Sequence, residues 1–115
     1  MIATAAVLFG IAALGGVTMA LIHFFKGKNP PIALVVIHGL FAASGLVVFI
    51  IAFKEGANNT AAFSLGLFML AALGGFWLLS QHLRNKRLPS YGVIAHALVA
   101  VIAFAVLLLV VLGHA

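Results

Sequence analysis

The sequence has little charge and no cysteine. Of its 115 residues, 6 are Lys or Arg, 1 is acidic and none is Cys. The lack of cysteine excludes disulfides, thiolate metal sites, iron–sulfur clusters and haem attached through thioether bonds. The shortage of charge excludes an ordinary soluble domain, whose surface needs far more polar residues. With one acid in the chain, a pair of catalytic carboxylates is excluded as well.

The chain is rich in hydrophobic residues, which make up 66% of it and give a mean hydropathy of +1.36. A helix needs about 20 apolar residues to cross a bilayer. Buried strands would be shorter and interrupted by turns. The first apolar run is too long and continuous for a cleaved signal peptide. We therefore predict an all-α integral membrane protein with one membrane domain, residues 1–115, and four helices at 2–25, 31–53, 60–83 and 89–113.

The basic residues predict how the helices cross the membrane. Five of the six Lys and Arg residues lie in two turns, 26–30 and 84–88, whereas the middle turn balances Lys54 with Glu55. The positive-inside rule places the two basic turns on the cytoplasmic side and both termini on the opposite side, and we expect the membrane to be a bacterial inner membrane. The basic residues form no continuous face, so we expect no nucleic-acid partner.

The second half of the chain repeats the first. The segment AALGG occurs at 12–16 and again 59 positions later, and a histidine follows each copy at the same offset. Two tandem helical hairpins, repeat 1 at 2–53 and repeat 2 at 60–113, predict an up-down-up-down four-helix bundle with a pseudo-twofold axis along the membrane normal. The matched residues are His23 and His82 at an offset of 59, then Pro31 and Pro89, and His38 and His96, at an offset of 58.

The four paired histidines are the candidate site. Ionisable residues inside a membrane are rare and point to function. His38 and His96 each follow a proline by seven residues, which places them about 10 Å into helices 2 and 4. These helices occupy opposite corners of the predicted bundle, so the two imidazoles would face each other at equal depth. That arrangement suits the two axial ligands of one haem b. We expect His114 to be a solvated terminal residue.

Other residues near this pair have candidate roles in binding the same cofactor. Lys26, Arg84 and Lys86 lie in the basic turns, within reach of haem propionates. Four glycines share a helix face with His23 on helix 1 or with His82 on helix 3. They either leave room for a macrocycle or allow tight helix packing. These glycines are Gly15, Gly16, Gly74 and Gly75.

Three arrangements of the histidines are open, and the first is favoured. In the first, His38 and His96 bind haem, while His23 and His82 hydrogen-bond its propionates or a quinone headgroup. In the second, the two pairs exchange roles. In the third, all four imidazoles bind a non-haem copper, zinc or iron ion. The histidines form two layers along the bundle axis, one of His23 and His82 and the other of His38 and His96. Two haems in one bundle would crowd each other, because these layers are only about 7 Å apart. A purely structural, non-redox membrane anchor is a further alternative.

The four histidines, with their flanking glycines, resemble the transmembrane b-type cytochromes, helical bundles in which facing histidines clamp haem. The resemblance implies electron transfer, often beside a quinone site. The sequence also has no nucleophile–base pair and no phosphate loop, so we expect an electron carrier rather than an independent enzyme, although quinol oxidation is left open. Here all four histidines lie in one half of the membrane, unlike the usual stack of two haems. The expected partners are the lipid bilayer and a redox protein or the quinone pool. Homo-oligomers and a larger complex are left open.

Overall fold

A computed structural model describes residues 1–56 and 58–113 and confirms the all-α fold. Its helices are α1 (Ile2–Lys26), α2 (Ile32–Lys54), α3 (Asn59–Leu83) and α4 (Ser90–Val111). All four are long and apolar enough to cross a membrane. The bundle is 42 Å long, which exceeds the roughly 30 Å hydrocarbon core of a bilayer. The prediction for His114 lies outside the described residues.

The helix ends follow the sequence repeat. Pro31 and Pro89 each stand immediately before the first helical residue, one position outside the helix rather than within its first turn. Left-handed residues follow both helices that lead into the basic turns, with Gly27 (φ 65°) directly after α1 and Asn85 (φ 59°) two residues after the last residue of α3. Glycine and asparagine are the residues that adopt this conformation most readily.

The two hairpins pack side by side. The closest packing joins α1 to α2 and α3 to α4, and looser contacts join α1 to α4 and α2 to α3. Helices α2 and α4 are therefore diagonal neighbours, as the up-down-up-down arrangement requires. Large apolar side chains such as Leu14, Phe25 and Leu73 are exposed on the outer surface. Such a surface is compatible with contact to lipid.

The buried core is concentrated near the termini. Its centre is a stack of Phe9 on α1 against Phe68 on α3, with ring centroids 3.8 Å apart and planes within 6°. These two residues are related by the 59-residue offset, so the stack lies on the pseudo-twofold axis. Phe49 packs edge-on against Phe68, and Ser64 donates a hydrogen bond to the Ala103 carbonyl at 2.8 Å. This half of the bundle is closed by apolar packing.

Hydrogen bonds between the repeats close the other end. Asn29, in the turn after α1, donates to the Lys86 carbonyl at 2.8 Å and accepts from the Leu88 amide at 3.0 Å. One side chain thus ties the two basic turns together.

We expect Asn29→Ala to lower the free energy of unfolding by about 0.5–1.5 kcal/mol, because it removes a partly buried hydrogen bond to the Leu88 amide and an exposed one to the Lys86 carbonyl. Unfolding in mixed detergent micelles, followed by circular dichroism, measures the change. Asn29→Asp keeps the acceptor for Leu88 and loses the donor to Lys86, so its stability should fall between the two. Unchanged stability of the alanine variant would contradict this role.

Candidate functional site

The imidazoles of His38 and His96 lie next to each other inside the bundle. Their ring centroids are 6.3 Å apart and their planes make an angle of 81°. Imidazoles on opposite sides of one metal ion have ring centres about 6 Å apart, because each metal–nitrogen bond is about 2 Å long. The distance between these two ring centres is close to that value. Each residue is half-buried.

A backbone carbonyl orients each ring of this pair. His38 Nδ1 lies 2.7 Å from the Ala12 oxygen, and His96 Nδ1 lies 2.8 Å from the Ala71 oxygen. A carbonyl only accepts hydrogen bonds, so Nδ1 is the donor in both rings. In the neutral imidazole the lone pair is then on Nε2. Metal-binding histidines are commonly held in this way, since the second hydrogen bond fixes the tautomer and the ring orientation.

Glycines of α1 and α3 make room for these rings. A Cβ atom placed on Gly16 would lie 3.2 Å from His38 Cε1, and one on Gly75 would lie 3.2 Å from His96 Cε1. At Gly15 and Gly74 the same atom would meet its nearest histidine atom at 3.6 and 3.7 Å, an ordinary contact. The lack of side chains at these glycines therefore lets the imidazoles pack directly against α1 and α3. The close approach also brings α1 against α2 and α3 against α4, as tight packing through small residues would require.

No residue at the level of the imidazole pair is fully buried. Ala12 and Ala71 are buried on the side of the pair toward the termini, and His23 and Leu88 are buried on the side toward the basic turns. Between these two levels, residues 13–22, 32–44, 72–83 and 90–102 include none that is buried. Ten residues of α1 span about 15 Å. This interval contains both imidazoles and all four glycines.

His23 and His82 have different partners. His23 Nε2 shares a hydrogen bond of 3.0 Å with Ser90 Oγ, and His82 Nε2 donates to the Pro30 carbonyl at 2.8 Å. Each imidazole therefore contacts the other repeat near its basic turn. Among residues 1–56 and 58–113, no three or more His, Asp or Glu side chains come together to hold a metal ion. The arrangement with all four imidazoles on one ion is not present.

The spacing of the two histidine layers also differs from the sequence expectation. The position of a Cβ on Gly15 lies 3.9 Å from His38 Cα, so these residues are at one level of the bundle. His23 is eight residues farther along α1, about 12 Å away rather than about 7 Å. The difference arises because the turn after α1 folds back before α2 begins, which lowers the start of α2 relative to the end of α1.

The basic residues predicted to reach a cofactor lie at the turn end. Lys26 is the last residue of α1, Arg84 follows α3, and Lys86 is in the second basic turn. All three are exposed. Their contact with propionates stays a prediction.

An apolar surface groove of about 390 Å³ lies beside His96, between α3 and α4. Trp77 and Tyr91 line it, with ring centroids 6.3 Å apart, and Gly92 leaves space for the Trp77 ring. The corresponding residues of the first repeat are Thr18 and Ala33, so the aromatic lining belongs to the second hairpin.

Comparison with protein-family models, with curated proteins and with solved structures gives no significant match. The resemblance to b-type cytochromes therefore rests on the histidine pattern alone.

Several residues at the site were not predicted from sequence. Ala12 and Ala71 begin the repeated AALGG segments, but nothing in the repeat indicates that their carbonyls bond to histidine. Phe9 and Phe68, which lie outside the site, share the 59-residue offset and could have been found from the repeat. Ser90 had no such signal, because its counterpart in the first repeat is Ile32.

Proposed function

We propose that this protein is a membrane b-type cytochrome that transfers electrons through one haem b held between α2 and α4. His38 and His96 would hold the haem iron through their Nε2 atoms. The observation that carries the proposal is the imidazole pair, 6.3 Å apart, with both Nδ1 atoms bonded to backbone carbonyls. Haem supplies a one-electron iron couple when bound. Two histidine ligands fill both axial positions and favour electron transfer over oxygen binding.

The residues around the pair support the binding of a macrocycle. The interval between Ala12 and His23, in which no residue of α1 is fully buried, contains the two ligands. The Ala12 and Ala71 carbonyls hold the rings and increase the basicity of their Nε2 atoms. Gly16 and Gly75 let each imidazole approach the neighbouring helix. The apolar surround excludes water, which affects the redox potential.

The partners and the orientation are further parts of the proposal. The basic turns 26–30 and 84–88 lie on the cytoplasmic side, where Lys26, Arg84 and Lys86 interact with the propionates. The groove beside His96 lies within the predicted membrane region and has aromatic walls, so a quinone can approach the site from the bilayer. A redox protein or a larger complex would exchange electrons at the cytoplasmic surface.

The test is the absorption spectrum of the chain after expression with haem supplied. We expect a red protein with one haem per chain and split low-spin bands after reduction with dithionite. Elemental analysis should give one iron per chain. A colourless, folded protein under these conditions would contradict the proposal.

A metal ion without a porphyrin is the second candidate, since the same ring separation suits a copper or zinc ion shared by His38 and His96. Two protein ligands leave such an ion with open coordination positions. Stoichiometric copper or zinc with no porphyrin absorption would favour this candidate.

A further inference from the structure

The layer of His23 and His82 breaks the twofold symmetry of the molecule. His82 Nε2 uses a carbonyl of the first turn, whereas His23 Nε2 uses the hydroxyl of Ser90, a residue whose counterpart is Ile32. The two imidazoles are equivalent in the sequence and different in the structure. A function for this layer need not involve both of them.

His23 has a buried nitrogen without a partner. Its side chain is 2% exposed, and Nδ1 is a buried polar atom with no hydrogen bond in the described part of the chain. The Ser90 hydroxyl can donate to Nε2, and Nδ1 then carries the proton. Buried polar groups in folded proteins normally have hydrogen-bond partners. An unpaired donor at His23 Nδ1 therefore indicates a bound group that accepts its hydrogen bond. The ring is held in place by Ser90 and by an edge contact with Phe24.

The surroundings indicate that this group is an anion. Arg87 lies in the basic turn that precedes Ser90, the partner of His23, and the acidic residue Glu55 lies at the opposite end of the bundle. A lipid headgroup is disfavoured, because His23 is buried within the bundle rather than on its outer surface. Gly16, which seats the His38 ring, is seven residues before His23 and on the same helix face, about 10 Å away. That distance is comparable with the reach of a haem from its iron to its propionates.

We infer that His23 Nδ1 donates a hydrogen bond to one haem propionate, while His82 serves only to join α3 to the first turn. The inference rests on the proposed function. Of His23 and His82, only His23 binds a carboxylate of the cofactor. His82, which is related to His23 by the sequence repeat, is the control.

The test compares the binding of haem b with that of its dimethyl ester, in which both carboxylates are blocked. We expect the purified apoprotein to bind the free acid more tightly than the ester. His23→Phe keeps a ring against Phe24 and removes the donor, so the preference should fall by about tenfold, as for loss of a charge-assisted hydrogen bond. His82→Phe should keep the wild-type preference. His23→Gln retains an N–H donor and should keep part of the preference for the free acid. This variant replaces His23→Phe in the test if the phenylalanine variant does not fold.

The outcomes separate the two proposals. If the porphyrin binds with its low-spin spectrum and the preference is the same in the wild type, His23→Phe and His23→Gln, the role of His23 is wrong and the haem site stands. The same conclusion follows if His82→Phe loses the preference as strongly as His23→Phe does. If neither porphyrin binds the wild-type protein, both proposals are wrong.

Discussion

Replacement of His38 by alanine should remove the low-spin haem spectrum and weaken haem binding by more than about a hundredfold. Loss of an outer-shell partner already costs 10- to 100-fold at metal sites, and here the ligand itself is lost. His96→Ala should have the same effect, because the two imidazoles are related by the pseudo-twofold axis and each has one carbonyl partner. Titration of the purified apoprotein with haem, followed by dithionite difference spectra, measures both quantities.

Exogenous imidazole separates ligation from folding in these variants. Added to His38→Ala, it should occupy the space left by the side chain and restore the low-spin bands. His82→Ala is the matched control, since its imidazole lies outside the pair and bonds to Pro30. Low-spin bands that persist unchanged in His38→Ala and His96→Ala would contradict the assignment. Their loss in His23→Ala and His82→Ala instead would indicate the arrangement in which the pairs exchange roles.

Gly75→Leu should reduce haem affinity by about 10- to 100-fold, the range expected when the support of a metal ligand is lost. A Cβ at this position would already lie 3.2 Å from His96 Cε1, so the rest of a leucine side chain needs the volume of the ring. The helix itself should not suffer, because leucine has a higher helix propensity than glycine by roughly 0.8 kcal/mol. Haem titration, with circular dichroism of the apoprotein, distinguishes the two effects.

Two other substitutions on α3 are the controls for Gly75→Leu. Gly66→Leu is the matched control, because Gly66 is exposed and a Cβ there meets nothing within 4 Å. Gly74→Ala should bind haem like the wild type, since the added Cβ makes an ordinary contact at 3.7 Å. If Gly75→Leu and Gly66→Leu bind haem equally well, the glycines do not seat the ligand ring.

The fold could be predicted from the sequence because its causes are local and repeated. Four apolar runs of membrane length specify helices wherever backbone groups must be satisfied without water. The 59-residue offset from Phe9 to Phe68 and the 58-residue offset from His38 to His96 require the two hairpins to be similar. Two similar hairpins, joined in tandem, place α2 and α4 on one diagonal. The closeness of His38 and His96 follows from these facts.

The tertiary structure decided which atoms each imidazole meets, because these contacts depend on the axial stagger and rotation of packed helices. A backbone carbonyl carries no sequence signature, so Ala12 and Ala71 showed no sign of bonding to histidine. The turn after α1 shifts the start of α2, which separates the histidine layers by about 12 Å. One of the differences between the repeats, Ser90 in place of Ile32, lies where packing brings it against His23, so His23 and His82 have unlike partners. Local sequence determined the helices and their symmetry, whereas packing determined which sequence differences meet the histidines and so break that symmetry.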